Sequence, residues 1–271
     1  MFIDTHCHIN MMIKKSFDIL INNKELLEAE PIIKKATDAG VGALINVGTS
    51  LIESANCVAL THYQNCYAAV GIHPNDATNA WQADFKEIKK RWLTDQQNIL
   101  THRIVAVGEV GLDYHYPDYN SQRQHDLFKA SIELALEQDL ALIVHTRDAG
   151  DATLRVLEEY KNETLRGVIH CFSEDRYFAD QVIAQGFVLG IGGTLTYPKN
   201  NDLRDIFSKI SLESIILETD APFLPPQSLR GTQNHPANIP LIAQFLATLR
   251  GESLEKLGTT IRLTTQRVFR I

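Results

Sequence analysis

Short runs of apolar and β-branched residues recur along the whole chain: Phe2–His6, Val41–Val47, Tyr67–His73, Ile104–Leu112, Leu140–His145, Val168–Phe172, Phe187–Ile191 and Ile215–Thr219. Each is nearly continuous rather than strictly alternating, which marks strands covered on both faces, as in a parallel sheet. The intervening stretches have helical spacing. Leu127, Ala130 and Leu134 share one face at i, i+3 and i+7, with Ser121 placed to cap that helix. Asp38-Ala39-Gly40 and Ala184-Gln185-Gly186 read as helix ends that lead straight into a strand. Eight strand segments alternating with helices over residues 1–271 predict an α/β fold, a TIM (β/α)8 barrel forming one domain. A doubly wound open sheet is the alternative, but no Gly-rich dinucleotide fingerprint and no P-loop follows any strand.

Composition agrees with a large packed core: 44% of the 271 residues are hydrophobic and 22% charged, which excludes a disordered chain. The 26 Lys and Arg against 33 Asp and Glu leave a formal charge of −7. That balance argues against coating nucleic acid by charge alone, although a local basic patch remains compatible with it. The four cysteines, at 7, 57, 66 and 171, have no regular spacing, as in a reducing compartment. No apolar run approaches the ~18 residues of a membrane span, and the N-terminus lacks a signal-peptide pattern, so the expected location is cytoplasmic.

In a barrel of this type, functional side chains gather at the C-terminal ends of the strands, and here those ends carry metal-ligand residues. The first segment ends His6-Cys7-His8, an i, i+2 pair that points both imidazoles to one side. The fourth ends Gly108-Glu109-Val110, an acid after four apolar residues that is costly unless paired or metal-bound. The fifth and sixth bring His145 and His170, and the eighth reads Ile-Ile-Leu-Glu218-Thr219-Asp220. Each single His reads more readily as a half-buried structural residue than as a ligand. Together, six ligand-type residues from five strands converge on one axis. That is too many for one catalytic zinc, which takes three protein ligands and a water. They suit two divalent ions about 3.5–4 Å apart bridged by a carboxylate, a pair that activates water. Imidazole-rich ligation favours Zn²⁺ or Mn²⁺ over Mg²⁺ on softness alone.

With these motifs in order, the chain resembles the TatD family of metal-dependent deoxyribonucleases, within the amidohydrolase superfamily. The resemblance is carried by Phe-Ile-Asp-Thr-His-Cys-His (2–8), Val-Gly-Ile-His-Pro (70–74), Gly-Glu-Val-Gly-Leu-Asp-Tyr (108–114), Val-His-Thr-Arg-Asp-Ala (144–149), Ile-His-Cys-Phe-Ser (169–173) and Glu-Thr-Asp-Ala-Pro-Phe-Leu (218–224). It implies that His6, His8 and Asp220 hold one metal ion, that His145 and His170 hold a second, and that Glu109 bridges them. The fourth strand contains no Lys, which separates this chain from amidohydrolases bridged by a carbamylated lysine. One stretch departs from the family pattern of a basic residue followed by Asn-Glu-Pro. Here Gln233 stands for the basic residue and His235 for Glu, between the matching Asn234 and Pro236, which bears on substrate contacts and on the anchoring of that loop.

The resemblance implies phosphodiester hydrolysis, often as a 3′-to-5′ exonuclease on single-stranded DNA, with Asp220 or Glu109 taking a proton. Arg147, His73, Asp113, His115 and Arg230 are the candidate substrate contacts, set against salt-bridge, packing or ligand-orienting roles for the same residues. Tyr114, Tyr116 and Tyr119 stack on bases or simply pack their loop. A basic mouth would draw on Arg147, Arg123, Arg176, Lys199 and Arg230. The second enzymatic reading keeps the metals and cleaves an ester or amide, as in a D-aminoacyl-tRNA deacylase; a third is a metal-binding protein without turnover. No membrane association and no obligate protein partner are expected.

Overall fold

The computed structural model describes residues 1–271. Eight parallel strands follow one another around a single sheet in sequence order: β1 (Phe2–Cys7), β2 (Val41–Val47), β3 (Cys66–Val70), β4 (Ile104–Asp113), β5 (Ala141–Arg147), β6 (Gly167–Ile169), β7 (Phe187–Ile191) and β8 (Ile215–Leu217). Helices fill the connections, so the expected barrel is present. The ring closes at its functional end, where Cys7 bridges Ala221. Around that bridge His8 N donates to Ala221 O at 2.7 Å and Asp220 N to His6 O at 2.8 Å. Buried Asp4 reinforces the seam by accepting from Thr219 N at 3.0 Å and Thr219 Oγ1 at 2.6 Å.

Two apolar layers result from the two-residue period of the strands. Leu44, Leu142, Val144 and Ile169 face the helices within a cluster of 61 buried residues. Their strand neighbours Ile45, Val47, Ala141, Ile143, Val168, Val188 and Ile216 form a separate cluster with Val268 and Phe269 from the C-terminal helix. This second cluster fills the barrel, so the inside is a packed core and not a pore. The same period then carries the inner series out of the core and into polar chemistry. Ala141 and Ile143 lead to His145, Val168 leads to His170, and Ile216 leads to Glu218.

Several boundaries differ from expectation. β3 stops at Val70 because Pro74 lacks an N–H and opens a short 3-10 turn capped by the His73 side chain. β6 and β8 stop at Ile169 and Leu217, ahead of Cys171 and Asp220, whose φ values of 45° and 55° leave the extended region. The helix after β4 begins at Ser121, but its cap is Asn120, whose side chain accepts from Arg123 N at 2.9 Å. No helix is long and apolar enough to cross a membrane, and all four cysteines are free.

Candidate metal centre

Glu109 sits at the middle of the barrel mouth, with its two oxygens facing different partners. Oε2 lies 3.4 Å from His6 Nε2. Oε1 lies 2.8 Å from His145 Nδ1, 3.6 Å from His73 Nε2 and 3.9 Å from His170 Nε2. On the β1 side, His6 Nε2 and His8 Nε2 are 3.1 Å apart. Asp220 Oδ1 stands 3.8 Å from the first of these nitrogens and 3.4 Å from the second. His6, His8 and Asp220 thus form one group with donor atoms within 4.8 Å of one another, and His6, Glu109 and His170 form another. His145 falls instead into a group with His73 and Asp113, reaching the others through Glu109.

Glycines permit this crowding. Gly111 pairs with His145 across β4 and β5, and its φ is 137°. A Cβ there would strike the His145 carbonyl, so a larger residue would push Glu109 and Asp113 away from His145. A Cβ at Gly190 on β7 would collide with the Glu218 carboxylate.

Of the four imidazoles expected as ligands, three have an oxygen behind them, each on the nitrogen that does not face the centre. His8 Nδ1 contacts Val47 O at 2.9 Å and His145 Nε2 contacts Asp113 Oδ2 at 3.1 Å, while His170 Nδ1 lies 3.0 Å from Glu218 Oε1 in an ionic contact that lacks hydrogen-bond alignment. His6 Nδ1 is buried without a partner, and its ring stacks on His170 with centroids 3.5 Å apart. Asp113 is held in turn by Asn75 Nδ2 at 2.8 Å and by the His115 backbone N–H at 3.0 Å.

Burial works against charge on Glu109 and Asp220, yet the local partners prevail. Burial raises the Glu109 carboxyl, but the surrounding imidazoles, His170 foremost, hold it well below the usual range. Asp220 is lowered in the same way by its bond to His8 and the charges of His170 and His6. Burial lowers His170, and the Glu218 and Glu109 charges outweigh it, pushing the ring up to about 10. His73 follows burial down to about 3 and is neutral.

The remaining sequence candidates lie around this cluster. Asp113 stands behind His145 and does not open into the mouth. His115 pairs with Asp148 at 2.8 Å. Arg147 forms no ion pair and lies 5.7 Å above the Tyr116 ring, while Arg230 covers Tyr197 at 4.7 Å. In the altered loop, buried Asn234 donates to Thr219 O and Phe223 O, both at 2.7 Å, so the segment carrying Asp220 is anchored. His235 Nδ1 accepts from Ala237 N at 3.0 Å, which keeps an acceptor where Glu was expected. Sequence reasoning left Glu218 without a role, although its parity with Ile216 and Asp220 aims it inward.

Comparison with known proteins follows the same lines. The family model described as TatD related DNase matches residues 3–270. The chain is 31% identical to the uncharacterized metal-dependent hydrolase YjjV of Escherichia coli K12, covering 100% of this chain and 98% of that one. A crystal structure of YjjV, a TatD homologue, superposes with a TM-score of 0.87 at 30% identity, again over 100% and 98%. The 3′-5′ ssDNA/RNA exonuclease TatD of Erwinia billingiae is 31% identical over 94% of this chain and 99% of its own.

Proposed function

The chain is a metal-dependent hydrolase of the TatD-related DNase family, and from that premise we propose that it uses two divalent ions to remove nucleotides from the 3′ end of single-stranded DNA. The observation that carries this reading is the division of the Glu109 carboxylate, with Oε2 toward His6 and Oε1 toward His145 and His170. A carboxylate shared in this way is able to bridge two ions.

The residues fit cations. Two imidazole nitrogens face each other at 3.1 Å beside Asp220, and Glu109 and Asp220 are both ionised in a buried setting. Such a set is costly without a positive partner. His6, His8 and Asp220 would hold one ion, His145 and His170 the other, and Glu109 both. Zn²⁺, Mn²⁺ and Mg²⁺ are the candidates, with the imidazoles favouring the first two. When bound, the ions supply a lowered pKa for water and polarise the phosphoryl oxygen.

The chain supplies the rest. Asp220, whose side chain is 16% exposed, accepts the proton of the attacking water. His73 Nδ1 accepts from the Asn75 N–H at 3.1 Å, so its ring proton is on Nε2, a donor directed at the Glu109 side of the centre. That donor binds a phosphoryl oxygen, and Arg147 grips a second. Arg230 and His115 contact the strand further out. Asp113 keeps His145 in the tautomer that presents Nδ1 to the centre.

The same proposal has the protein act in the cytoplasm, without a membrane or an obligate protein partner. Its test is metal-free protein reconstituted with Mg²⁺, Mn²⁺ or Zn²⁺ and given single-stranded DNA labelled at either end. Stepwise shortening from the 3′ end, lost in Glu109→Gln, is the expected result. Absence of cleavage with every metal, despite two bound ions, would overturn the nuclease reading and favour ester or amide hydrolysis.

A further inference from the structure

Beside the metal centre, between the loops that follow β3 and β4, lies a cavity of about 360 Å³. Its walls include Asn75, Tyr116, Tyr119, Asn120, Arg123 and Gln124. We propose that this cavity is a nucleobase subsite, which receives a base of the same strand whose phosphodiester lies at the metal centre. The inference rests on the phosphodiesterase reading for the chain that carries the base.

The cavity has the size of a small-molecule site, about 300 Å³ or more, and its chemistry suits a flat, neutral group with hydrogen-bonding edges. Tyr119 belongs to a rigid column. Its ring stacks on Tyr114 with centroids 4.5 Å apart and an 18° tilt. Tyr114 is in turn locked by its hydroxyl, 2.6 Å from His125 Nε2 and 3.2 Å from Ser121 Oγ. Tyr119 is nonetheless 41% exposed and Tyr116 48%, a large aromatic area left open to solvent at a functional mouth. A base continues such a stack at little ordering cost, because the rings are already placed. Asn75 Nδ2 is bonded to Asp113 and Asn120 Oδ1 caps its helix, which leaves Asn75 Oδ1 as an acceptor and Asn120 Nδ2 as a donor for base edges.

A phosphate would be poorly served in the same place. Arg123 spends its guanidinium on Ala77 O at 2.9 Å and on Asn79 Oδ1, and Asp118 adds a negative charge to the lining. The phosphate role falls instead to Arg147, which lies over the Tyr116 ring at the border between cavity and metal centre.

The inner wall also ties the cavity to the chemistry. Gln124 is only 2% exposed and clamps the Asp113 backbone, accepting from its N–H and donating to its carbonyl, both at 2.9 Å. Asn75 donates to the Asp113 carboxylate at 2.8 Å, and that carboxylate backs His145. Cavity and metal centre therefore share one rigid wall, which fixes the distance between a bound base and the scissile phosphate.

The experiment compares a short single-stranded oligonucleotide with bis(p-nitrophenyl) phosphate, a phosphodiester without any base. Thr78 lines the cavity, its side chain bonds only to the Ala80 N–H, and it takes no part in the chemistry, so Thr78→Trp fills the space without touching a bond to Asp113. For the oligonucleotide, KM is expected to rise about tenfold, the size of one lost stacking contact, while turnover of bis(p-nitrophenyl) phosphate stays unchanged. Ligand-observed NMR with deoxyadenosine as the probe gives a readout independent of catalysis. Saturable binding to the wild type, lost in Thr78→Trp, is expected. Equal oligonucleotide KM in both proteins, or equal losses on both substrates, would overturn the subsite. So would deoxyadenosine binding that survives the substitution. If the wild type cleaves neither substrate, the phosphodiesterase reading fails, and the NMR result alone decides whether the cavity takes a base.

Discussion

The two sides of the metal centre reach the same end by different routes. On the β5 and β6 side, each imidazole is backed by a carboxylate, Asp113 behind His145 and Glu218 behind His170. On the β1 and β8 side, His8 leans on a backbone carbonyl, His6 has no partner behind it, and the carboxylate Asp220 faces the centre directly. One side places its negative charge behind the imidazoles, where it raises their basicity. The other places it in contact. The difference teaches that equal-looking histidines in this family's motifs need separate treatment, because their supporting groups differ.

The largest effect tests the contact side. Asp220→Asn is expected to lower turnover by about a thousandfold, within the range of a lost general base, with the melting temperature of the metal-free protein little changed. Single-turnover kinetics on end-labelled DNA measure it; a loss smaller than about tenfold would remove Asp220 from the proposed proton transfer. Glu218→Gln and Asp113→Asn probe the backed side. Each is expected to weaken metal binding there by about 10–100-fold, read from calorimetric titration of chelated protein. An affinity loss confined to the first-filling or second-filling site sharpens the contrast, and unchanged affinity at both would break it.

A smaller effect tests the loop that supports Asp220. Burial lowers the His235 ring to about 4, against about 6.5 when unfolded. The folded state therefore keeps it neutral while the unfolded chain takes up a proton first. Stability from this residue is complete above pH 6.5 and is lost as the pH falls toward 4. His235→Asn keeps an acceptor for the Ala237 N–H without titrating. In chelated protein, the variant should lose less melting temperature between pH 7 and 4.5 than the wild type does; parallel curves would contradict this.

Much of this architecture is legible in the sequence, because buried parallel strands write continuous apolar runs and place ligand residues at their ends. His6, His8, Glu109, His145, His170 and Asp220 are all brought to one mouth. Supporting residues were harder to see. Glu218 looks like a neighbour of Asp220 until the parity from Ile216 is counted. Asn75 and Gln124 act through side-chain bonds to Asp113 from other elements, which no local pattern encodes. Strand ends at Val70, Ile169 and Leu217 depend on Pro74 and on the left-handed residues Cys171 and Asp220, the first held by its N–H bond to Glu218 Oε1 and the second by its N–H bond to His6 O across the barrel seam. With His235 in place of Glu, the loop is still held by Asn234, and its capping acceptor persists.

The central claim is that Glu109 joins two ions in one site. Metal content per chain, measured by mass spectrometry after reconstitution and removal of loosely held ions, tests it directly in the wild type and in Glu109→Gln. Two ions are expected in the wild type and one or none in the variant. A wild type that holds a single ion, or a variant that still holds two, would contradict it.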